Sequence, residues 1–186
     1  MRALVSFPGL HRVPRGAEVA LEAVADGLAV RVHDVHVFGT GADRSDRSYR
    51  YTRLPAVSRD HFRRWPAVPL LREPSSYESL TFNLAALARH RPGDVDVTLT
   101  AGFPWDNLFL RRPVLRGGRP PHVFVTENGD WPALVDKGDA RLFGCEGLVC
   151  TNPVYLERNE HRWRCALIPN GVDVERFAPG PAARAD

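Results

Sequence analysis

Arg2-Ala3-Leu4-Val5-Ser6-Phe7-Pro8-Gly9, at the head of the chain, is a short and mainly apolar run closed by a Pro-Gly pair. Such a run suits a strand buried on both faces, with Pro-Gly ending it. After a loop holding Pro14 and Gly16 the period changes: Leu21, Val24, Ala25 and Leu28 fall at i, i+3, i+4 and i+7. This spacing predicts a helix from Ala17 whose apolar stripe meets the core. Val35, Val37 and Phe38 then read as a second strand, closed by Gly39-Thr40-Gly41. Strand, glycine-bearing loop, helix and strand within about forty residues make the opening βαβ unit of a parallel sheet, for which the right-handed crossover is strongly favoured.

The same alternation continues outward. Residues 42–74 are Arg-rich and broken by Pro55, Pro66, Pro69 and Pro74, with only residues 49–54 resembling a strand. Ser75-Ser76-Tyr77-Glu78 has a cap-like Ser before an acid, and Tyr77, Leu80, Leu84 and Leu87 continue at helical spacing to a stop at Pro92-Gly93. Val95, Val97 and Leu99 alternate with polar residues as a strand, and Asp106 is placed to cap a helix running to about Arg111. His122-Val123-Phe124-Val125-Thr126 and Leu148-Val149-Cys150-Thr151 read as strands. Asn152-Pro153 opens a short helix, and Cys165-Ala166-Leu167-Ile168 is the last strand. The expected architecture is α/β: a Rossmann-like open parallel sheet with helices on both faces, over residues 1–168.

With 44% hydrophobic residues in 186, the chain has material for a real core, and one domain is the expectation. No stretch approaches the ~18 to 20 apolar residues that cross a bilayer. The N-terminus is interrupted too early for a signal peptide. A cytoplasmic location is therefore expected, with peripheral membrane contact as the alternative. The net charge of +3 rests almost wholly on arginine, Lys137 being the single lysine. These charges are dispersed, with a loose concentration over residues 44–72, so a solvated surface is expected rather than nucleic-acid binding. Cys145, Cys150 and Cys165 lack the paired spacing of a zinc site and are expected as reduced thiols.

In open α/β sheets ligands bind beyond the carboxyl ends of the strands, so the loops after the strands carry the chemistry. Arg15-Gly16-Ala17 stands at a helix start, where free N–H groups and partial positive charge suit a phosphate; the alternative is that Gly16 only makes the turn. Glu127, Asn128, Asp130 and Trp131 gather two acids, an amide and an aromatic, a set suited to a polyhydroxylated ligand, or else an Asn-Gly turn with Asp130 capping the next helix. Phe103, Trp105 and Asp106 offer a similar choice between ligand contacts and a core-facing aromatic pair with a capping acid. G-x-G-x-x-G is absent after the first strand, and so is a G-x-S-x-G elbow. His33 and His36 lie three apart at a strand edge and are read as structural or exposed, so no metal is expected.

Near the end stands Ala166-Leu167-Ile168-Pro169-Asn170-Gly171-Val172-Asp173, followed by Phe177 and Pro179, and preceded by Cys150-Thr151-Asn152 closing a strand. This ordered string resembles the end of the N-terminal domain in retaining GT-B glycosyltransferases of the family 4 type (glycosyl transferase group 1). Val13-Pro14-Arg15-Gly16-Ala17-Glu18 resembles that family's glycine-rich loop. The resemblance implies an acceptor-side half of an enzyme that moves a sugar from a nucleotide-sugar to an acceptor hydroxyl with retention. It implies no metal and no cofactor beyond that co-substrate. Arg15, Gly16 and Ala17 would lie near the donor phosphates. Phe103, Trp105, Asp106, Glu127, Asn128 and Asp130 would face the acceptor. Pro169, Asn170, Gly171 and Asp173 would form a hinge within a linker, residues 169–186, to a donor-binding domain not contained in the sequence, without which no turnover is expected. Two departures stand out: Arg15-Gly16 replaces a pair of glycines, and Asn128 stands where many members have histidine, which favours a front-face mechanism steered by positioning. The rival expectation is a stand-alone Rossmann-type module that binds a phosphorylated or glycosylated ligand without catalysis.

Overall fold

A computed structural model describes residues 1–31, 33–111 and 119–171 of the protein. Within them one all-parallel sheet holds seven strands: β1 (Arg2–Ser6), β2 (Asp34–Gly39), β3 (Arg50–Arg53), β4 (Val97–Thr100), β5 (His122–Val125), β6 (Gly147–Cys150) and β7 (Cys165–Leu167). Their spatial order is β3-β2-β1-β4-β5-β6-β7. The chain therefore winds outward from β1 to β3, returns to the other side of β1, and winds outward again. The reversal between β1 and β4 is the topological switch point of a doubly wound, Rossmann-like sheet.

Alternation along β1 explains why both faces are covered. Val5 joins Val35, Val37, Leu21 and Ala25 on the side of α1 (Gly16–Val30). Its neighbour Leu4 points the other way, into Phe38, Phe82, Ala86 and Leu110 beneath α2 (Pro74–Arg89) and α3 (Trp105–Arg111). A third cluster of Phe124, Leu148, Cys150 and Phe143 continues that second face towards α4 (Pro153–Asn159). Phe82, Phe124, Leu4 and Leu21 are fully buried, each contributing about 1.5–3 kcal/mol relative to an exposed side chain.

Two helices are rotated relative to the expected stripes. In α1 the buried positions are Glu18, Leu21 and Ala25, while Val24 is 39% exposed. In α2 the buried row is Tyr77, Glu78, Ser79, Phe82, Asn83 and Ala86, and Leu84 is 53% exposed. The reason is chemical: Glu78, Ser79 and Asn83 are polar residues with built-in partners, which hydrophobic periodicity rejects. Glu78 accepts from Arg12 at 2.6 Å and from Arg59 at 2.8 Å. Ser79 donates to Asp106 at 2.7 Å, and Asn83 donates to the Ser79 carbonyl at 2.8 Å. Nor do Ser75 and Ser76 cap α2, which begins with Pro74 at its first turn and has Glu73 as an N-cap without a side-chain bond. Asp106 sits inside the first turn of α3 and bonds across to α2. Asn152 does cap α4, accepting from the Tyr155 amide at 2.9 Å.

The loop after β1 is pinned from the side by His11, which has φ 61° and is buried. Its Nδ1 donates to the Ala42 carbonyl at 3.0 Å, which leaves Nε2 to accept from the Tyr49 hydroxyl at 2.6 Å. The ring stacks on Tyr51 with centroids 4.0 Å apart. The strained backbone is thus held by a loop-to-strand clamp. The three cysteines are free thiols, Cys150 buried and the other two half-buried. No helix among the described residues is long and apolar enough to cross a membrane.

Candidate functional site

The switch point opens into a crevice of ≈ 790 Å³ beyond the carboxyl ends of the strands. Loops following β1, β4 and β5 form its floor and one wall: Pro8 and Gly9, Gly102 to Pro104, and Glu127 with Asn128. The first turn of α1, the start of α2 and the segment around Arg72 close the other side. The doubly wound topology produces this opening, because crossovers on either side of the switch point lead to opposite faces of the sheet.

Most of the residues expected to bind ligand converge here, and two do not. Arg15, Gly16, Ala17, Phe103, Asp106, Glu127 and Asn128 line the crevice. Trp105 lies elsewhere, 5.8 Å from Phe109 between ring centroids. Asp130 lies outside the crevice wall, where its carboxylate accepts from Asn159 at 2.8 Å and pairs with Arg158 at 3.5 Å, tying the β5 loop to α4. Asn170 donates to Glu127 at 3.0 Å, which brings the stretch after β7 onto the end of β5. Pro169 and Gly171 flank it and are exposed, whereas Asp173 lies outside the described residues.

An aromatic wall unites two loops that are separate in sequence. Phe103 and Trp131 stand 5.1 Å apart between centroids, and Trp131 is held by an indole N–H bond to the Asn128 carbonyl at 3.0 Å. In the same crevice, α1 begins without a side-chain cap. Its first amides have no intrahelical acceptor, and Arg15 to Glu18 line the crevice. A Cβ placed on Gly16 would meet nothing within 4 Å, and its φ is not in the left-handed region, so neither packing nor backbone conformation demands glycine there. The space beside those amides is open to a ligand.

Two carboxylates belong to the floor. Asp106 is 1% exposed; burial pushes its carboxyl up to about 6, against the pull of hydrogen bonds from Ser79 and Asn83, and its Oδ1 has no partner among the described residues. Glu18, in the first turn of α1, is 4% exposed and folds against Gly9, where a Cβ would overlap its carboxylate. The sequence gives little warning of Glu18, since an acid in a first helical turn is ordinary. Arg59, Arg72, Glu78 and Lys137 also line the crevice and were not expected. Arg59 is engaged by Glu78, and Arg72 by Asp139 at 3.0 Å. Lys137, the lone lysine, was legible as a compositional oddity and sits exposed at the rim. No group of three or more side chains able to hold a metal ion occurs among the described residues.

Neither a protein-family model nor a curated protein matches this chain.

Proposed function

We propose that the crevice is the acceptor site of a retaining glycosyltransferase, and that this chain is its acceptor-binding half. The observation that carries the reading is the pairing, across one crevice, of an aromatic wall with an uncapped helix start whose first residue is a glycine that the fold does not require. Phe103 and Trp131 offer a flat apolar surface for a sugar ring, and Glu127 and Asn128 offer acceptors and a donor for its hydroxyls. The α1 amides and Arg15 offer stabilisation to the phosphate that leaves the donor sugar. In the transfer, the bond from the anomeric carbon to the phosphate oxygen breaks and a bond to the acceptor oxygen forms. The acceptor proton passes to the departing phosphate on the same face. Asn128 acts by positioning, because an amide neither gives nor takes a proton in such a step.

The chain alone should not turn over. A nucleotide diphosphate carries more negative charge than the cations at hand can neutralise, since Arg59 and Arg72 are already engaged by acids. The remaining stabilisation belongs to a donor-binding domain, and the nucleotide-sugar is a co-substrate rather than a resident cofactor. The test combines calorimetric titration of the purified chain with methyl α-D-glucopyranoside, methyl α-D-mannopyranoside and common nucleotide-sugars, and a transfer assay. Saturable glycoside binding is expected, weakened at least about tenfold by Trp131→Ala. Gly16→Leu should fold with stability within about 1 kcal/mol of the parent, yet weaken nucleotide-sugar binding. Absence of glycoside binding would sink the acceptor reading, and robust transfer by the isolated chain would sink the half-enzyme reading. Unchanged nucleotide-sugar binding in Gly16→Leu would reduce that glycine to a turn residue.

A further inference from the structure

Glu18 presents an unusual balance. It is 96% removed from solvent, and it makes no hydrogen bond or ion pair with any described residue, yet it lines the crevice. Buried carboxylates are normally found paired, but neither oxygen of Glu18 is among the fully buried atoms without a partner, so the group opens onto the crevice with its hydrogen-bonding capacity unused. Glu78 illustrates the norm in this same protein, with two arginines on one carboxylate. Glu18 faces the floor formed by Pro8 and Gly9, and the absence of a side chain at Gly9 is what makes room for it. Asp106, against Gly102 in the same crevice, also keeps an oxygen without a partner among the described residues.

The charge of the crevice points the same way. Its lining carries six carboxylates and four cations, an acidic surplus within a chain whose net charge is +3. Arg59 and Arg72 are occupied by Glu78 and Asp139, and the free cations, Arg15 and Lys137, lie exposed at the rim. The interior is left with Glu18 and Asp106. A neutral hydroxyl would satisfy one carboxylate oxygen. An ammonium offers a charge-assisted bond roughly twice as strong.

We propose that the acceptor held in this crevice bears a protonated amine, an amino sugar or a related amino polyol, seated on Glu18. This rests on the acceptor-site reading above and adds the class of acceptor to it. Phe103 and Trp131 hold the ring from the loops after β4 and β5, so amine and ring are recognised by different elements.

The experiment compares binding of methyl α-D-glucopyranoside with methyl glucosides carrying a primary amine at C2, C3 or C6, at pH 7, by calorimetry on the 186-residue chain. At least one amine-bearing probe should bind about tenfold or more tightly than the neutral parent glycoside. N-acetylation of that probe should remove the preference with no change to the protein. Glu18→Gln, which keeps the shape and removes the charge, should bring amine-bearing and neutral probes within about twofold of each other, while binding of the neutral glycoside persists. Equal binding of neutral and amine-bearing probes by the parent chain would overturn the inference and leave the acceptor site standing. A preference undiminished in Glu18→Gln, or retained on N-acetylation, would also overturn it. Failure of every glycoside to bind would overturn the acceptor reading itself.

Discussion

At the scale of single residues, Asp106 makes the sharpest prediction because its chemistry is fixed by its surroundings. Unfolded, it ionises near 3.8; folded, burial moves it to about 6. Between those values the folded chain keeps a proton that the unfolded chain has released, so stability falls as pH rises through the window. The cost then persists at every higher pH. Its size is about 3 kcal/mol. Asp106→Asn retains an acceptor for Ser79 and cannot ionise. The variant should exceed the parent by up to about 3 kcal/mol at pH 8, with the advantage gone near pH 4, in urea unfolding followed at both values. A difference independent of pH would show that ionisation of Asp106 contributes nothing. His122 works in the opposite sense, since burial pushes it down to about 3 and acid erodes the fold between 6.5 and that value. For this reason the comparison is made between variant and parent at each pH. Neither residue could be singled out in this way from sequence alone: Asp106 reads there as a helix cap, and its position becomes costly only because α2 lies over it.

At the scale of elements, α2 shows where periodicity succeeds and where it fails. Residues 77–87 were legible as a helix, but their buried side was not, because the chain packs a polar row inward. Glu78 is the centre of that row, its side chain 2% exposed, with Arg12 and Arg59 as partners that remain about one-third exposed. Two partners share one carboxylate, so removing either leaves the charge compensated and removing both strands it. Arg59→Ala alone should destabilise the fold by about 1–2 kcal/mol. The Arg12/Arg59 double alanine variant should lose about 3–5 kcal/mol, more than the two single losses together. A double-mutant cycle by chemical denaturation measures this, and strict additivity would contradict a shared partner. The strands were legible because β1, β2 and β5 are apolar runs of the right length. Within residues 42–74 the strand at 49–54 was legible and pairs with β2 as β3, but the rest was not, because Phe62 and Trp65 are organised by contacts with Tyr77 of α2 rather than by local pattern.

At the scale of the whole molecule, the first forty residues imply a parallel βαβ unit, and the doubly wound order of the whole sheet fixes where a ligand can enter. The order of strands beyond β3 does not follow from them; it is set by the return of the chain across β1 to β4. The candidate site was partly legible for the same reason. Loops after strands could be named in advance, and three of them do meet at one crevice. Trp105 and Asp130 stand apart from the crevice, since a residue's position after a strand does not say which way its side chain turns. Glu18 was not singled out because burial without a partner is invisible in a sequence. The crevice at the β1/β4 switch point is proposed to bind a hydroxylated ring. The most direct test is backbone amide NMR of the chain during titration with methyl α-D-glucopyranoside and its amine-bearing analogues. Saturable shifts are expected, concentrated at Gly9, at Gly16 to Glu18, at Gly102 and Phe103, and at Glu127 to Trp131. Shifts clustered elsewhere, for example around Arg63 and Trp65, or none at saturating probe, would contradict it.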